Sequence, residues 1–140
     1  MQIHVNEIEV PVEIADDDES RSMGLMKRST LNPGCGMLFI FPDEDERSFW
    51  MKDTYIPLSI AFLSGDGTIL NIEDMKPFDQ SRVLSSGPAR CALEMNQGWF
   101  RRNGVRPGDK VTGIPIKPMA ESTRITRADL RRLIKEALIS

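Results

Sequence analysis

The chain begins with alternation. Ile3, Val5, Ile8, Val10, Val12 and Ile14 recur at period two on both sides of a slip near Asn6 and Glu7. Two alternating runs joined by a slip predict a hairpin or a bulged strand pair with its acids on the wet face. Pro11 lacks a ladder N–H and favours an edge or a bulge. Asp16-Asp17-Asp18-Glu19 then predicts a helix N-terminus, because a short acid caps free amides and further acids favour the positive end of the macrodipole. The predicted helix covers roughly residues 19–27 and is interrupted by Gly24, a cost of about 1 kcal/mol against alanine.

The middle of the chain repeats short apolar runs between turn signals. Asn32-Pro33-Gly34 predicts a turn. The continuous run at residues 35–41 predicts a strand buried on both faces, ended by Pro42 and followed by a solvated acidic loop at 43–46. Residues 60–63 predict a buried strand that turns at Ser64-Gly65-Asp66-Gly67 into a partner at 68–72. Residues 73–86 carry no sustained period and predict a long loop, longer than most connections and so a candidate rim for a binding site. Alternation returns at 90–95, residues 96–100 predict a short helix or tight turn, and 110–116 predict a last strand.

The tail changes period. Thr126, with Asp129 three positions on, resembles a capping box, and Leu130, Leu133, Ile134, Ala137 and Leu138 form one apolar stripe beside Arg127, Arg131, Arg132 and Lys135. Such a basic amphipathic helix can meet a membrane or a nucleic acid, but its short apolar face favours docking on its own domain or self-association with a partner subunit. The expectation is one mostly β domain over 1–120, with a short helix in its N-terminal half, and an added amphipathic helical extension over 121–140.

Composition narrows the function classes. A chain of 140 residues is one domain by length. Formal net charge is −3, against a dedicated nucleic-acid binder; Arg101, Arg102 and Arg106 beside Trp99 and Phe100 are the one stacking arrangement on offer. Eight methionines among few aromatics predict a methionine-rich core or, more sharply, an adaptable groove. Cys35 and Cys91 form no CxxC motif and read as buried free thiols, with a single disulfide as the alternative. His4 is the only histidine, no Cys/His cluster has ligand spacing, and the four acids at 43–46 lack the turn glycine of a calcium loop, so no metal and no cofactor is expected. No 18-residue apolar stretch spans a membrane, and no basic-then-apolar leader opens the chain. The compartment stays open: cytoplasmic for the sequence as given, or envelope or periplasmic if an export signal was removed.

The chemistry-bearing residues gather around residues 49–58, which hold Trp50, the only tyrosine and a central lysine. Arg21, Arg28 and Lys52 supply positive charge, Glu94 an acid, Thr54 and Asn96 neutral hydrogen-bonding groups and Trp50 an aromatic wall. Arginine offers bidentate geometry to a carboxylate, lysine a point charge. Convergence would make a noncatalytic site for a small anionic ligand. The alternative is a structural or interaction module in which Arg21 or Arg28 pairs with Glu94, holding helix to sheet. A Lys52–Glu94 acid–base pair is a lesser, enzymatic reading, since no serine or cysteine has a recognisable activating base.

Three of these segments together resemble a known family. Arg21-Ser22-Met23-Gly24-Leu25-Met26-Lys27-Arg28, then Gly36-Met37-Leu38-Phe39-Ile40-Phe41 with Phe49-Trp50-Met51-Lys52-Asp53-Thr54 and Ile56-Pro57-Leu58, then Leu93-Glu94-Met95-Asn96 with Gly98 and Gly108-Asp109, are similar to the ordered motifs of the DUF192 family. The resemblance spans about residues 3–116 and implies a compact, mostly β, barrel-like fold with a short helix and no assigned activity. Asp53 stands where many members carry asparagine, and Gln97 where a small residue is frequent.

Overall fold

The computed structural model describes residues 1–116. The helix expected from Thr126, and the boundary near residue 120, lie outside the described residues. Nine strands and two short helices follow in the order β1 (Gln2–Val5), β2 (Ile8–Ala15), α1 (Asp18–Met23), β3 (Gly36–Asp45), β4 (Ser48–Phe49), β5 (Leu58–Leu63), β6 (Ile69–Met75), β7 (Val83–Leu84), β8 (Ala89–Asn96), α2 (Trp99–Arg102) and β9 (Val111–Thr112).

Seven strands form one sheet in the order β6-β5-β8-β3-β2-β1-β9, while β4 and β7 pair separately. The slip at Asn6 is the β1–β2 turn, with Asn6 at φ 54° and Val5 opposite Ile8. The β2–β3 pairing is parallel and carries α1 in its crossover; the other pairings are antiparallel. The sheet curls until its two edges meet at one end. There Val111 N–H donates to Gly67 O at 2.8 Å and Ile69 N–H to Asp109 O at 2.9 Å. Gly67 sits at φ 84°, and a Cβ there would lie 2.1 Å from Val111 O, so only glycine permits this closure.

The central strands β3, β5 and β8 are apolar without alternation because they separate two cores. Inside the curl lie Ile3, Val5, Leu38, Ile40, Ala61, Leu63, Cys91, Leu93 and Met95, joined by Trp99 and Phe100 from α2. Outside it, Met37, Phe39, Leu58, Ile60, Phe62 and Ala92 pack under Leu25, Met51 and Ile56. That second layer is built by α1, its exit loop and the 50–57 segment. Both thiols are free, Cys91 buried and Cys35 half-buried. Among the described residues no helix is long and apolar enough to cross a membrane.

Four boundaries differ from the sequence reading. Helix α1 stops at Met23 instead of continuing to residue 27, because Gly24 turns to φ 48° while its N–H still reaches Ser20 O. Pro42 does not end β3. The register shifts between Ile40 and Asp45, and proline is tolerated within that irregularity. The region read as a loop over 73–86 holds the end of β6, where Glu73 and Asp74 are exposed, and β7, whose two residues are too few to show a period. The last strand is only Val111–Thr112, followed by Gly113 at φ 79°.

Candidate functional site

A cavity of about 350 Å³ opens between α1, the second core layer and the segment from Ser48 to Thr54. That size lies in the range of small-molecule sites, about 300–1,000 Å³. Its helix wall begins with the predicted cap. Asp17 accepts from Ser20 N–H at 2.7 Å, and Ser20 Oγ answers the Asp17 N–H at 3.3 Å, fixing where α1 starts. Arg21 and Met23 of α1 and Leu25 and Met26 after it therefore lean over the sheet. Gly24 lies so close that a Cβ would sit 3.3 Å from the Phe39 ring.

The remaining walls are aromatic. Phe49 packs edge-on against Phe39, Phe41 and Phe62 at centroid separations of 4.9, 6.2 and 5.8 Å. Trp50 forms part of the rim, and the Arg82 guanidinium stacks 4.4 Å from its ring centroid. Arg82 is exposed and has no carboxylate partner among the described residues. The floor comes from β8. Glu94 stands between Met37 of β3 and Ile60 of β5 and is 5% exposed. Its carboxyl has no hydrogen-bond partner among the described residues, and burial alone raises it to about 8. Among the described residues no buried side-chain oxygen is sealed off without a partner, so the Glu94 carboxyl is reached from the cavity it lines.

Of the seven residues singled out by sequence, Arg21, Trp50, Thr54 and Glu94 line this cavity. Arg21 is already engaged. It donates to Ile40 O at 2.8 Å and to Asp18 Oδ1 at 2.9 Å, and its guanidinium lies 5.6 Å from the Phe41 ring. Thr54 Oγ1 donates to Lys52 O at 3.0 Å, which orders the 50–57 segment from within. Arg28, Lys52 and Asn96 line other surfaces or hold structure. Arg28 pairs with Glu13, Lys52 is exposed 5.5 Å from the Trp50 ring, and Asn96 Nδ2 donates to Leu31 O at 2.9 Å. No Arg21–Glu94 or Arg28–Glu94 pair forms; each arginine has a nearer acid in sequence or across β2.

Among the described residues, the cation that reaches the cavity unspent is Arg82, which the sequence patterning does not single out. Its signal was the long polar region already marked as a rim, with no period to single out one residue. Trp99 and Phe100 are 7% and 1% exposed, so they cannot stack bases beside Arg101 and Arg102. Among the described residues no three His, Cys, Asp or Glu side chains converge as a metal site would require. The acids after Pro42 have local partners: Asp43 pairs with Arg47, and Glu44 accepts from Gly65 N–H at 2.6 Å.

Two solved structures resemble this chain closely. One, from Sinorhizobium meliloti 1021, is named a candidate transcription regulator; it is 36% identical, with a TM-score of 0.75 over 79% of this chain and 89% of that one. The other, a protein of unknown function from Novosphingobium aromaticivorans DSM 12444, is 34% identical, with a TM-score of 0.76 over 79% of this chain and 83% of that one. No curated protein matches the chain. The family model for DUF192, described as Uncharacterized ACR, matches residues 1–113, from β1 through β9 and across every wall of the cavity. The chain belongs to the DUF192 family.

Proposed function

We propose that this protein is a noncatalytic small-molecule-binding domain, and that its cleft takes a small anion with a flat apolar body. The observation that carries the reading is Arg82, exposed, without a carboxylate partner among the described residues and held over Trp50 at the mouth of an aromatic cavity. A guanidinium pre-oriented on an aromatic face loses little freedom when it takes a carboxylate, and it can do so through two parallel bonds. Phe39, Phe41 and Phe49 supply the apolar walls such a ligand needs. Asp18 and Arg21 neutralise each other, so Arg82 gives the mouth its net positive charge.

The acid–base reading draws less support. Lys52 points to solvent and does not line the cavity that Glu94 faces. The interaction-module reading depended on the C-terminal helix, outside the described residues. A regulatory role like the one in the S. meliloti relative's name would use the cleft as a sensor, since the aromatics beside the basic residues of α2 are buried.

Isothermal calorimetry with phenylacetate, its methyl ester and phenethylamine tests the reading. Phenylacetate binds saturably, the neutral ester at least about tenfold more weakly, and Arg82→Ala removes the difference, as loss of a charge-assisted bond requires. Preference for the cationic phenethylamine would overturn it.

A further inference from the structure

Glu94 is the one feature of the cleft that anion binding at Arg82 does not use. A glutamate that is 5% exposed is ordinarily paired, because burying a polar group without a hydrogen bond costs several kcal/mol at the upper end. This one faces an open cavity with no partner among the described residues. The charged groups around it are committed elsewhere. From α1, Asp18 and Arg21 hold each other. From the approach to β7, Arg82 is exposed at the mouth over Trp50. On its own strand, Arg90 donates to Phe41 O at 2.6 Å. Lys52 and Asp53 face solvent, and β3 and β5 flank Glu94 with Met37 and Ile60.

Among the described residues nothing pairs with this carboxyl, and a ligand that enters the cavity brings a partner to it. Exposure orders the two polar groups by depth, Arg82 at the mouth and Glu94 on the floor, so they address opposite ends of one molecule. An ammonium would have to pass Arg82 and lose its water in an aromatic cavity. A neutral carboxyl needs no such charge. It offers one O–H donor and one carbonyl acceptor side by side, matching the C=O and N–H of an amide edge.

We propose that Glu94, as the neutral acid, determines specificity in the cleft by pairing through one donated and one accepted hydrogen bond with a primary amide or lactam edge at the inner end of the anion held by Arg82. The pairing rests on the ligand-binding reading above and adds the chemistry of the ligand's far end. Burial, which raises the carboxyl to about 8, keeps it in that form at neutral pH.

Calorimetry with 4-carbamoylphenylacetate against phenylacetate, at pH 6 and pH 9, tests both layers separately. Neither ligand titrates between these values. At pH 6 the carbamoyl compound binds at least about tenfold more tightly, the worth of a well-placed hydrogen-bond pair. At pH 9 that advantage falls by about tenfold, as the neutral fraction of a group titrating near 8 requires. Glu94→Gln, which keeps a donor and an acceptor, retains the advantage at both pH values, and Glu94→Leu loses it at both while still binding phenylacetate. Equal affinities at pH 6 in the wild type, or an advantage in Glu94→Leu as large as in the wild type, would overturn the pairing and leave anion binding intact. Absence of phenylacetate binding at pH 6 would overturn the binding reading and the pairing with it.

Discussion

Strand β8 presents two faces that differ in everything except their backbone. On one, Cys91, Leu93 and Met95 point into the closed interior of the curled sheet, where burial pushes the Cys91 thiol up to about 12. On the other, one residue out of phase, Ala92 sits in the outer core and Glu94 looks into the cleft. Both faces are built to the same burial, and burial raises both titratable groups. The consequences differ because of what lies opposite. Cys91 meets more sheet, so its neutral thiol behaves as a small apolar side chain. Glu94 meets space between a six-residue helix and an aromatic loop, so its neutral acid retains an unspent donor and acceptor. Period-two alternation separates the part of the strand that holds the fold from the part available to a ligand.

The largest test of that division is a truncation on the interior face. Leu93→Ala should cost about 2–5 kcal/mol of stability in urea unfolding while phenylacetate affinity in the folded protein is unchanged. Loss of affinity beyond the unfolded fraction would mean the two faces are not independent. Gly67→Ala probes the closure of the interior from the opposite side. Its left-handed backbone and the approach to Val111 O predict a loss of at least about 1–3 kcal/mol, with the cleft unaltered.

The titration of Glu94 gives a smaller and pH-dependent effect. Its folded value lies above the unfolded one, so the folded state binds the extra proton, and stability from this group is complete below about pH 4.5 and declines as pH rises toward about 8. Glu94→Gln does not titrate there. The variant should melt close to the wild type at pH 4 and clearly higher at pH 9, seen by circular dichroism at both pH values. A melting difference that does not change with pH would show that the carboxyl ionises freely in the fold. Smallest of all is Arg28→Ala. The Arg28–Glu13 pair is about half exposed and away from the cavity, so stability should move by less than about 1 kcal/mol and ligand affinity not at all.

Sequence patterning reached the fold further than the site, for physical reasons. The strands announce themselves because burial on one or two faces is written into consecutive residues, as at 35–41 and 90–95, and the Asp17 cap and Asn6 turn are local chemistry. What patterning could not resolve were features set by distant partners. Pro42 reads as a stop, yet Ile40 and Asp45 pair with β8 across an irregularity visible only once β8 is beside them. In the site, Trp50, Thr54 and Glu94 were legible as unusual polar or aromatic residues inside apolar motifs, and all three line the cavity. Arg28 and Lys52 were legible only as charges, and charge does not say which way a side chain faces. Arg82 lay in a polar stretch with no periodicity, so only the pairing of β7 with β4, which brings that approach beside Trp50, could single it out.

The protonation of Glu94, on the outer face of β8 at the floor of the open cleft and without a partner among the described residues, can be measured directly. Carbon-13 NMR of glutamate side-chain carboxyls in the ligand-free protein, from pH 3 to pH 10, follows every glutamate at once, with Glu94→Gln assigning the resonance in question. One carboxyl should titrate near pH 8 and be missing from the variant. Titration of the Glu94 resonance below about pH 5, in the ordinary carboxylate range, would contradict it.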